Sequence, residues 1–142
     1  MIEKQLSVFI ENRTGRLSEV LDVLKENGVN ILSLSLADTT EFGLLRLIVD
    51  NAALGKERLT EKGFSSLLSD VSIIKIPHKV GSLQQLLKTI DENGVNIEYM
   101  YGLSIDGADA SVVMKTSDLD AAQTALAAQG IGFLTSEDIS KM

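Results

Sequence analysis

Two asparagines could hold a small charged molecule, and one of them lies in a segment that occurs twice. Residues 26–31 read ENGVNI and residues 92–97 read ENGVNI again, so Asn30 and Asn96 occupy equivalent positions. The asparagine amide is both a hydrogen-bond donor and an acceptor. Together with Asn12, Asn30 could therefore bind an ammonium group as well as a carboxylate. The ligand that carries both groups is a free amino acid.

The polar turn at residues 12–16 adds a feature suited to an anion, because an amphipathic segment follows it. Free backbone N–H groups and the positive end of the dipole at a helix N-terminus favour a carboxylate. Glycine in the turn would let a ligand approach the backbone closely. We predict ligand contacts from the two turns and the two strand starts of the repeat: Asn12, Arg13, Thr14, Gly15, Asn30, Ile31, His78, Gly81, Asn96 and Ile97. His78 stands opposite Asn12, so the two sites cannot be chemically identical.

The same residues could instead have structural roles that involve no ligand. Asn12 could simply cap the first helix, and Asn30 and Asn96 could serve only the turn after the glycine. Contacts within a single β-α-β unit are not expected, because the two ends of its helix are far apart. A site needs a second module placed alongside. Arg13, predicted above as a contact, could equally be a solvated charge, as are Arg16 and Lys79, and Gly28 and Gly94 are interpreted as helix caps alone.

The repeat extends over the whole chain and predicts its architecture. Glycine and leucine positions recur at a spacing of 66, and Leu59 and Gly63 recur one residue later, at Leu126 and Gly130. One inserted residue in a loop of the second copy would explain that shift. Alternating apolar residues predict strands, and apolar residues at helical spacing predict helices. Each half therefore has the order β-α-β-β-α-β, which is the ferredoxin-like arrangement.

The sequence thus predicts an α+β protein of two tandem ferredoxin-like domains with antiparallel sheets, over residues 1–69 and 70–142. Separate strands are expected at residues 64–68 and 71–76, and a loose end from Thr135 to Met142. Loop and cap positions are predicted from turn and capping chemistry. They are a loop at Thr39–Phe42, a cap at Asp50 or Asn51, a hairpin turn at Asp106–Gly107 and a capping box formed by Ser117 and Asp120.

Composition and charge exclude several function classes. The net charge is −7, from 20 acidic and 13 basic residues, which argues against nucleic acid as a partner. Cysteine is absent, so disulfides and thiolate metal sites do not exist. Neither a signal peptide nor an apolar run of membrane-spanning length is found, so we expect a cytoplasmic protein with no membrane partner.

Catalytic motifs are also missing. The sequence contains no HExxH, GxSxG, GxxxxGK[ST] or GxGxxG pattern, and its single histidine, His78, would be the only candidate base. Asp106 and Asp109 could be imagined around a cation, but aspartate and glycine are ordinary hairpin residues. We expect a non-enzyme without a metal or a cofactor.

The strings Glu11-Asn12-Arg13-Thr14-Gly15 and Gly28-Val29-Asn30-Ile31 resemble the signature of ACT domains, small regulatory modules that bind amino acids. In the version found in D-3-phosphoglycerate dehydrogenase, the turn reads ENR-Pro-Gly, and asparagines matching Asn12 and Asn30 contact serine. The resemblance implies two ACT-like domains that pair side by side and bind ligand at the seam. Thr14 and Val80 replace the usual proline. Ile10 stands where some serine-binding members have histidine, so serine is not specified as the ligand.

The resulting hypothesis is a homodimeric amino-acid sensor that regulates a metabolic enzyme in trans or acts alone. The alternative is a protein–protein assembly module with vestigial pockets, and an enzyme on this frame would lack an acid–base pair. A further hypothesis concerns Tyr99 and Tyr101, which replace Ser33 and Ser35 of the first copy. If that sheet face meets its counterpart, rings would pack opposite small hydroxyls; otherwise the pair merely covers a helix.

Overall fold

The structure, a computed structural model, describes residues 2–38, 41–106 and 109–141. The chain divides into two compact units, Lys4–Ser69 and Asp70–Met142 together with Met1–Glu3. The elements up to the boundary are β1 (Glu3–Glu11), α1 (Arg16–Glu26), β2 (Ile31–Asp38), β3 (Phe42–Val49), α2 (Ala52–Glu61) and β4 (Ser65–Pro77). The elements after it are α3 (Ser82–Glu92), β5 (Ile97–Asp106), β6 (Asp109–Thr116), α4 (Leu119–Ala128), β7 (Gly132–Phe133) and α5 (Ser136–Ser140).

The pairing of the strands is antiparallel in both units. In the first, β3 lies between β1 and β2; in the second, β6 lies between β4 and β5, and β7 pairs with β4. The order of elements and the pairing confirm the predicted α+β fold of two ferredoxin-like modules. None of the helices in the described residues is long and apolar enough to cross a membrane.

The boundary between the units falls within β4, which corrects one prediction. Residues 64–68 and 71–76 were expected to form separate strands, but Ser65–Pro77 is a single strand. Between the two runs stand only Ser69 and Asp70, and neither glycine nor proline is present to turn the chain.

Each unit has its own core between its helices and its sheet. In the first, Leu6 on β1, Leu24 on α1 and Leu59 on α2 are fully buried. In the second, Ile90 on α3 and Leu126 on α4 take equivalent places. The apolar side chains recur every second residue along the strands and every third or fourth along the helices, which produces one buried face per element.

The four long helices end in the same way, at Gly28, Gly63, Gly94 and Gly130, all with positive φ. At Gly28 the glycine N–H bonds the Lys25 carbonyl (3.1 Å), and the Val29 N–H bonds the Leu24 carbonyl (2.9 Å). This is the Schellman pattern, in which a left-handed residue lets the chain satisfy the last helical carbonyls. The predicted helix ends at Gly28 and Gly94 are confirmed.

The helix starts agree with prediction at α2 and differ at α4. Asn51 caps α2, its side chain accepting from the N–H of Leu54. The capping box expected from Ser117 is wrong, because α4 begins at Leu119 and the residue directly before it, Asp118, accepts from the N–H of Ala121. The Ser117 hydroxyl instead accepts from the Asn96 N–H.

The expected loose end after Thr135 is also wrong, because residues 136–140 form the short helix α5. Thr135 and Asp138 form a capping box that satisfies the first N–H groups, and Ile139 is buried. Hydrogen bonds from the Thr135 N–H, and then from its hydroxyl, lower the pKa of the Asp138 carboxyl.

The cross-strand pairing in the two hairpins shows where the second copy has its extra residue. Both units have a register shift after the first residue of the hairpin, at Ile31 and at Ile97. Strand β5 has a second shift, between Gly102 and Ser104, with no counterpart in β2. The extra residue is therefore accommodated as a bulge within β5, at Leu103, and the expectation of a longer loop is wrong.

Two predicted turns lie partly outside the described residues. Thr39 and Thr40 of the first, and Gly107 of the second, are in the gaps of the described ranges. Phe42, expected in the first loop, is the first residue of β3.

Candidate functional site

The turn before α1 has the left-handed glycine that its sequence suggested. Gly15 is the N-cap of α1, with φ of 88°, and an added Cβ there would meet nothing within 4 Å. Asn12 lies three residues earlier, so the interpretation of Asn12 as the N-cap does not hold. Its backbone N–H bonds the Glu41 carbonyl (3.0 Å). Arg13 is exposed and pairs with Glu11, Nε to Oε2, at 2.8 Å.

The turn and Asn30 lie at opposite ends of α1. The 11 residues of α1 span about 16 Å at 1.5 Å per residue. One unit therefore does not bring Asn12 and Asn30 together, as expected for a β-α-β connection. Thr14 and Asn30 are both exposed, and Ile31 is half-buried where β2 begins. The residues of the two predicted half-sites are therefore separate from each other within one unit.

Most of the repeated ENGVNI segment has a local structural role. The side-chain amide of Asn27 donates to the Val23 carbonyl (2.8 Å), and that of Asn93 donates to the Thr89 carbonyl (2.8 Å). The glycine supplies the positive φ, and the valine that follows it is buried. The isoleucine begins a strand. Helix termination and core packing therefore account for these positions without a ligand.

The asparagine two residues after the glycine is different. The Asn30 N–H bonds Oδ1 of Asp50 (2.9 Å), and the Asn30 carbonyl accepts from the Asp50 N–H (3.1 Å). Asn96 is held in the same way by Ser117, with its N–H on the hydroxyl (3.1 Å) and its carbonyl accepting from the Ser117 N–H (2.8 Å). The backbone thus uses all its hydrogen-bonding groups. The two side-chain amides are exposed and have no partner among the described residues.

A groove of about 420 Å³ lies beside Asn30. Its walls come from the last turns of α1 and from the start of β2, and they include Leu21, Lys25, Val29, Asn30 and Ile31. The groove combines an amide, an ammonium group and apolar surface. This combination is suited to a small molecule with a carboxylate and an aliphatic part.

The corresponding turn of the second unit presents different chemistry. Gly81 is the N-cap of α3 with φ of 87°, matching Gly15. His78 and Lys79 are exposed, and Val80 at the tip is fully exposed. No hydrogen bond from the His78 side chain to another described residue is present.

Arg16 departs from prediction. It was interpreted as a solvated charge, but its side chain is only 19% exposed and its guanidinium lies over the ring of Phe64, with Cζ 4.4 Å from the centroid. Glu19 and Glu11 pair with the same group. Phe64 follows the Schellman glycine of α2, 48 residues away in sequence, so periodicity alone could not reveal the contact. Arginine over an aromatic face is a cation–π arrangement.

Metal-binding clusters are absent from the described part of the chain, where no group of three or more His, Cys, Asp or Glu residues is suitably placed. Asp109, imagined as half of a cation site, pairs with Lys75 (Oδ2 to Nζ, 3.3 Å).

The edge strand β2 exposes apolar side chains. Leu34 and Leu36 are 46% and 48% exposed, although their cross-strand partners on β3, Leu47 and Leu45, are fully buried. Partners directly opposite in an antiparallel pair share a face, so these leucines extend the core face beyond the cover of the helices. Exposed apolar surface on an edge strand is typical of an interface.

Comparison with known proteins identifies a family and several similar structures. The sequence matches the ACT domain pair family over residues 1–142. The crystal structure of protein BT0572 from Bacteroides thetaiotaomicron is similar with a TM-score of 0.94 and 34% identity, covering 100% of this chain and 98% of that one. The ligand-free regulatory subunit of aspartate kinase from Thermus thermophilus has a TM-score of 0.65 at 19% identity, covering 92% and 95% of the two chains.

The regulatory subunit of aspartate kinase from Thermus flavus has the same fold, with a TM-score of 0.61 at 18% identity, covering 90% of this chain and 94% of that one. No curated protein matches the sequence. The match over the full length and the pairing of two ferredoxin-like modules lead to one assignment: the chain belongs to the ACT domain family, as an ACT domain pair.

Proposed function

We propose that this protein is a non-catalytic, cytoplasmic regulator that binds a free amino acid between ACT modules. The observation that carries the proposal is the exposed side-chain amide of Asn30. Its backbone is fixed by two hydrogen bonds to Asp50, and the amide itself has no partner among the described residues. Every other part of the repeated segment except its glutamate has a structural role, whereas this amide is presented to solvent in both copies.

The charges around Asn30 suit a zwitterion. Lys25 lines the groove and can pair with a carboxylate, while Asp50 lies at the N–H of Asn30 and can attract an ammonium group. In the second unit, Ser117 replaces Asp50 and Asp91 replaces Lys25, so the two charges are not reproduced. The first unit therefore provides the principal half-site.

The other half of the site is the turn at Asn12–Gly15, supplied by a neighbouring module. A homodimer formed through the β2 edge, where Leu34 and Leu36 are exposed, would provide such a neighbour. A ligand that spans two modules favours one arrangement of them, by no more than the difference in its affinity for the alternatives. The regulator would then act on a metabolic enzyme in trans or function alone.

A second candidate function is protein–protein assembly without a ligand. It is favoured by the apolar surface of Leu34, Leu36 and Phe42, the last of which is 55% exposed. Both functions predict self-association, so only ligand binding separates them.

The test is a thermal-shift screen of the full chain against the common amino acids. At about 100 times its Kd, a ligand should stabilise the protein by about 2.7 kcal/mol, which is about 5–10 °C in Tm. Asn30→Ala should abolish the shift produced by the active amino acid. Asn96→Ala is the matched control, because it removes the equivalent amide from the unit that lacks the two charges.

The outcomes distinguish the candidates. A shift lost in Asn30→Ala and kept in Asn96→Ala supports an amino-acid site in the first unit. A shift that survives Asn30→Ala places the ligand elsewhere. The absence of a shift with every amino acid, in a protein that still self-associates by light scattering, favours the assembly module.

A further inference from the structure

A second cavity, of about 220 Å³, lies within the second unit where α3 begins. Its apolar walls are Ile76 on β4, Leu86 on α3 and Ile131, which follows α4; Ile76 and Leu86 are buried. Engineered apolar cavities of about 150 Å³ already bind benzene. The space is therefore large enough for a molecule with a body of about five or six carbons.

The polar part of this cavity is built from α3 and the turn before it. Ser82, Gln85 and Lys79 line it, and the hydroxyl oxygen of Ser82 is buried without a hydrogen-bond partner in the described part of the chain. Because that oxygen is buried, a molecule in the cavity does not contact it. The polar groups that a guest can reach are therefore the Lys79 ammonium group and the Gln85 amide.

The equivalent space in the first unit is occupied by the protein itself. Arg16 is the counterpart of Ser82, and Phe64 is the counterpart of Ile131. There the guanidinium stacks on the ring, with Cζ 4.4 Å from the centroid. Two smaller side chains at the same positions leave the second unit open.

The charge lining also changes between the copies. The first unit surrounds its guanidinium with Glu11 and Glu19. In the second unit their counterparts are the neutral Pro77 and Gln85, and the only charged residue lining the cavity is Lys79. The cavity has therefore lost its own cation and the two anions that held it. A cationic guest would meet no carboxylate there.

We propose that the cavity at the start of α3 binds a small aliphatic monocarboxylate. The hydrocarbon body packs on Ile76, Leu86 and Ile131, and the carboxylate pairs with Lys79 and accepts a hydrogen bond from the side-chain amide of Gln85. An α-ammonium group has no acidic partner among the lining residues, so this site selects against free amino acids. It lies within one module and does not depend on the proposed site at Asn30.

The test uses 4-methylpentanoate as the probe and 4-methylpentan-1-amine as a cation with the same body. Both are titrated to about 10 mM, ten times a millimolar Kd, into the isotopically labelled full-length protein. The carboxylate should shift the methyl signals of Ile76 and Ile131 and the amide signals of Ser82 and Gln85 in a saturable manner. The amine should bind at least about tenfold more weakly at these residues.

The double variant Ser82→Arg/Ile131→Phe rebuilds the stack of the first unit and fills the cavity. It should weaken carboxylate binding at least about tenfold, while Gln84→Arg, which adds the same charge at an exposed position outside the cavity, should change it less than about twofold. Equal binding of amine and carboxylate, shifts that map elsewhere, or unchanged affinity in the filled variant would each overturn the proposal. The comparison of the two probes needs no variant, so the test remains decisive even if the double variant fails to fold. Asn30→Ala should leave these shifts unchanged.

Discussion

The regions where α1 and α3 begin have the same backbone and different contents. Gly15 and Gly81 adopt φ of 88° and 87°, yet the next residue is Arg16, stacked on Phe64, in one unit and Ser82, beside a cavity, in the other. Backbone geometry after the duplication is maintained by glycine turns and helix ends, which act over a few residues. By contrast, the side chains that fill the space between elements differ between the two units, and residues that contact one another differ together.

The core has a second exchange of this kind. Gly55 on α2 lies against Leu6, where an added Cβ would be 3.1 Å from a leucine methyl. The counterparts are Ala122 and Ser72, so the larger helix residue faces the smaller strand residue. Gln123 on α4 donates to the Ser72 hydroxyl at 3.1 Å. The larger residue on the helix thus offsets part of the volume lost on the strand.

The largest expected difference between the units concerns Phe64 and Ile131. Phe64→Ala should destabilise the protein by about 3–4 kcal/mol, because it removes a buried ring and leaves Arg16 without its stacking partner. Ile131→Ala should cost less than about 2 kcal/mol, since Ile131 is half-buried beside an existing cavity. Urea unfolding of both variants measures the difference. Equal costs would mean that the cavity is closed in solution.

The second prediction concerns self-association. If the sheet face that carries Tyr99 and Tyr101, rather than the β2 edge, forms the proposed dimer contact, replacing both with serine, the residue type at both positions of the first copy, should weaken dimerisation at least about tenfold, or about 1.4 kcal/mol. The rings would no longer pack opposite the small hydroxyls of Ser33 and Ser35. Light scattering at several concentrations measures the change. The Tyr→Phe double variant keeps the rings and should keep the dimer. An unchanged mass after the serine exchange would remove the idea.

A smaller effect is expected at the exchanged glycine and alanine. Ala122→Gly should destabilise the second unit by about 1 kcal/mol, because glycine is unfavourable within a helix. Gly55→Ala gains a similar amount from helix propensity but crowds Leu6 and Leu24, so its net effect should be within about 1 kcal/mol of zero. Thermal unfolding compares the two. Strong destabilisation by Gly55→Ala would show that the methyl groups of Leu6 and Leu24 cannot move to accommodate the added Cβ.

The smallest effect concerns α5, which has no counterpart in the first unit. Because the folded pKa of Asp138 is lowered below its ordinary 3.8, its contribution is present above that pH and is lost as the pH falls through the lowered value. Amide exchange of α5 should therefore rise at acid pH before the first unit responds. Asp138→Asn should show that faster exchange already at neutral pH. If α5 and the first unit lost their protection from amide exchange at the same pH, the result would contradict a local role of this cap.

Features with a local physical cause could be predicted from the sequence. The ends of the four long helices follow from glycine at C′, and the cap of α2 follows from Asn51. The repeat then predicts the same order of helices and strands in each half of the chain. Errors arose where local signals were weak or shifted by one residue. Asp118 rather than Ser117 caps α4, and the capping box of the five-residue α5 was overlooked.

The candidate site was predictable only in part. Asn30 could be predicted as a site residue because its position repeats. The structure adds that its backbone is held by hydrogen bonds, whereas its side-chain amide is not. Arg16 could not be interpreted correctly, because its burial depends on a ring 48 residues away. The cavity beside Ser82 was equally inaccessible, since an empty space is a property of packing between elements that leaves no periodic signal in a sequence.

The bulge at Leu103 has a consequence for aggregation. A duplicated chain presents two edge strands at equivalent positions of its two units. Pairing β2 of one molecule with β5 of the next would be head-to-tail, a contact that can propagate into filaments without closing. The extra residue bends β5 and changes its hydrogen-bond spacing beyond Gly102, so a long continuous match with β2 is lost. Pairing of β2 with β2 across a two-fold axis can use the uninterrupted run from Ser33 to Asp38. One inserted residue thus favours a closed assembly over an open polymer.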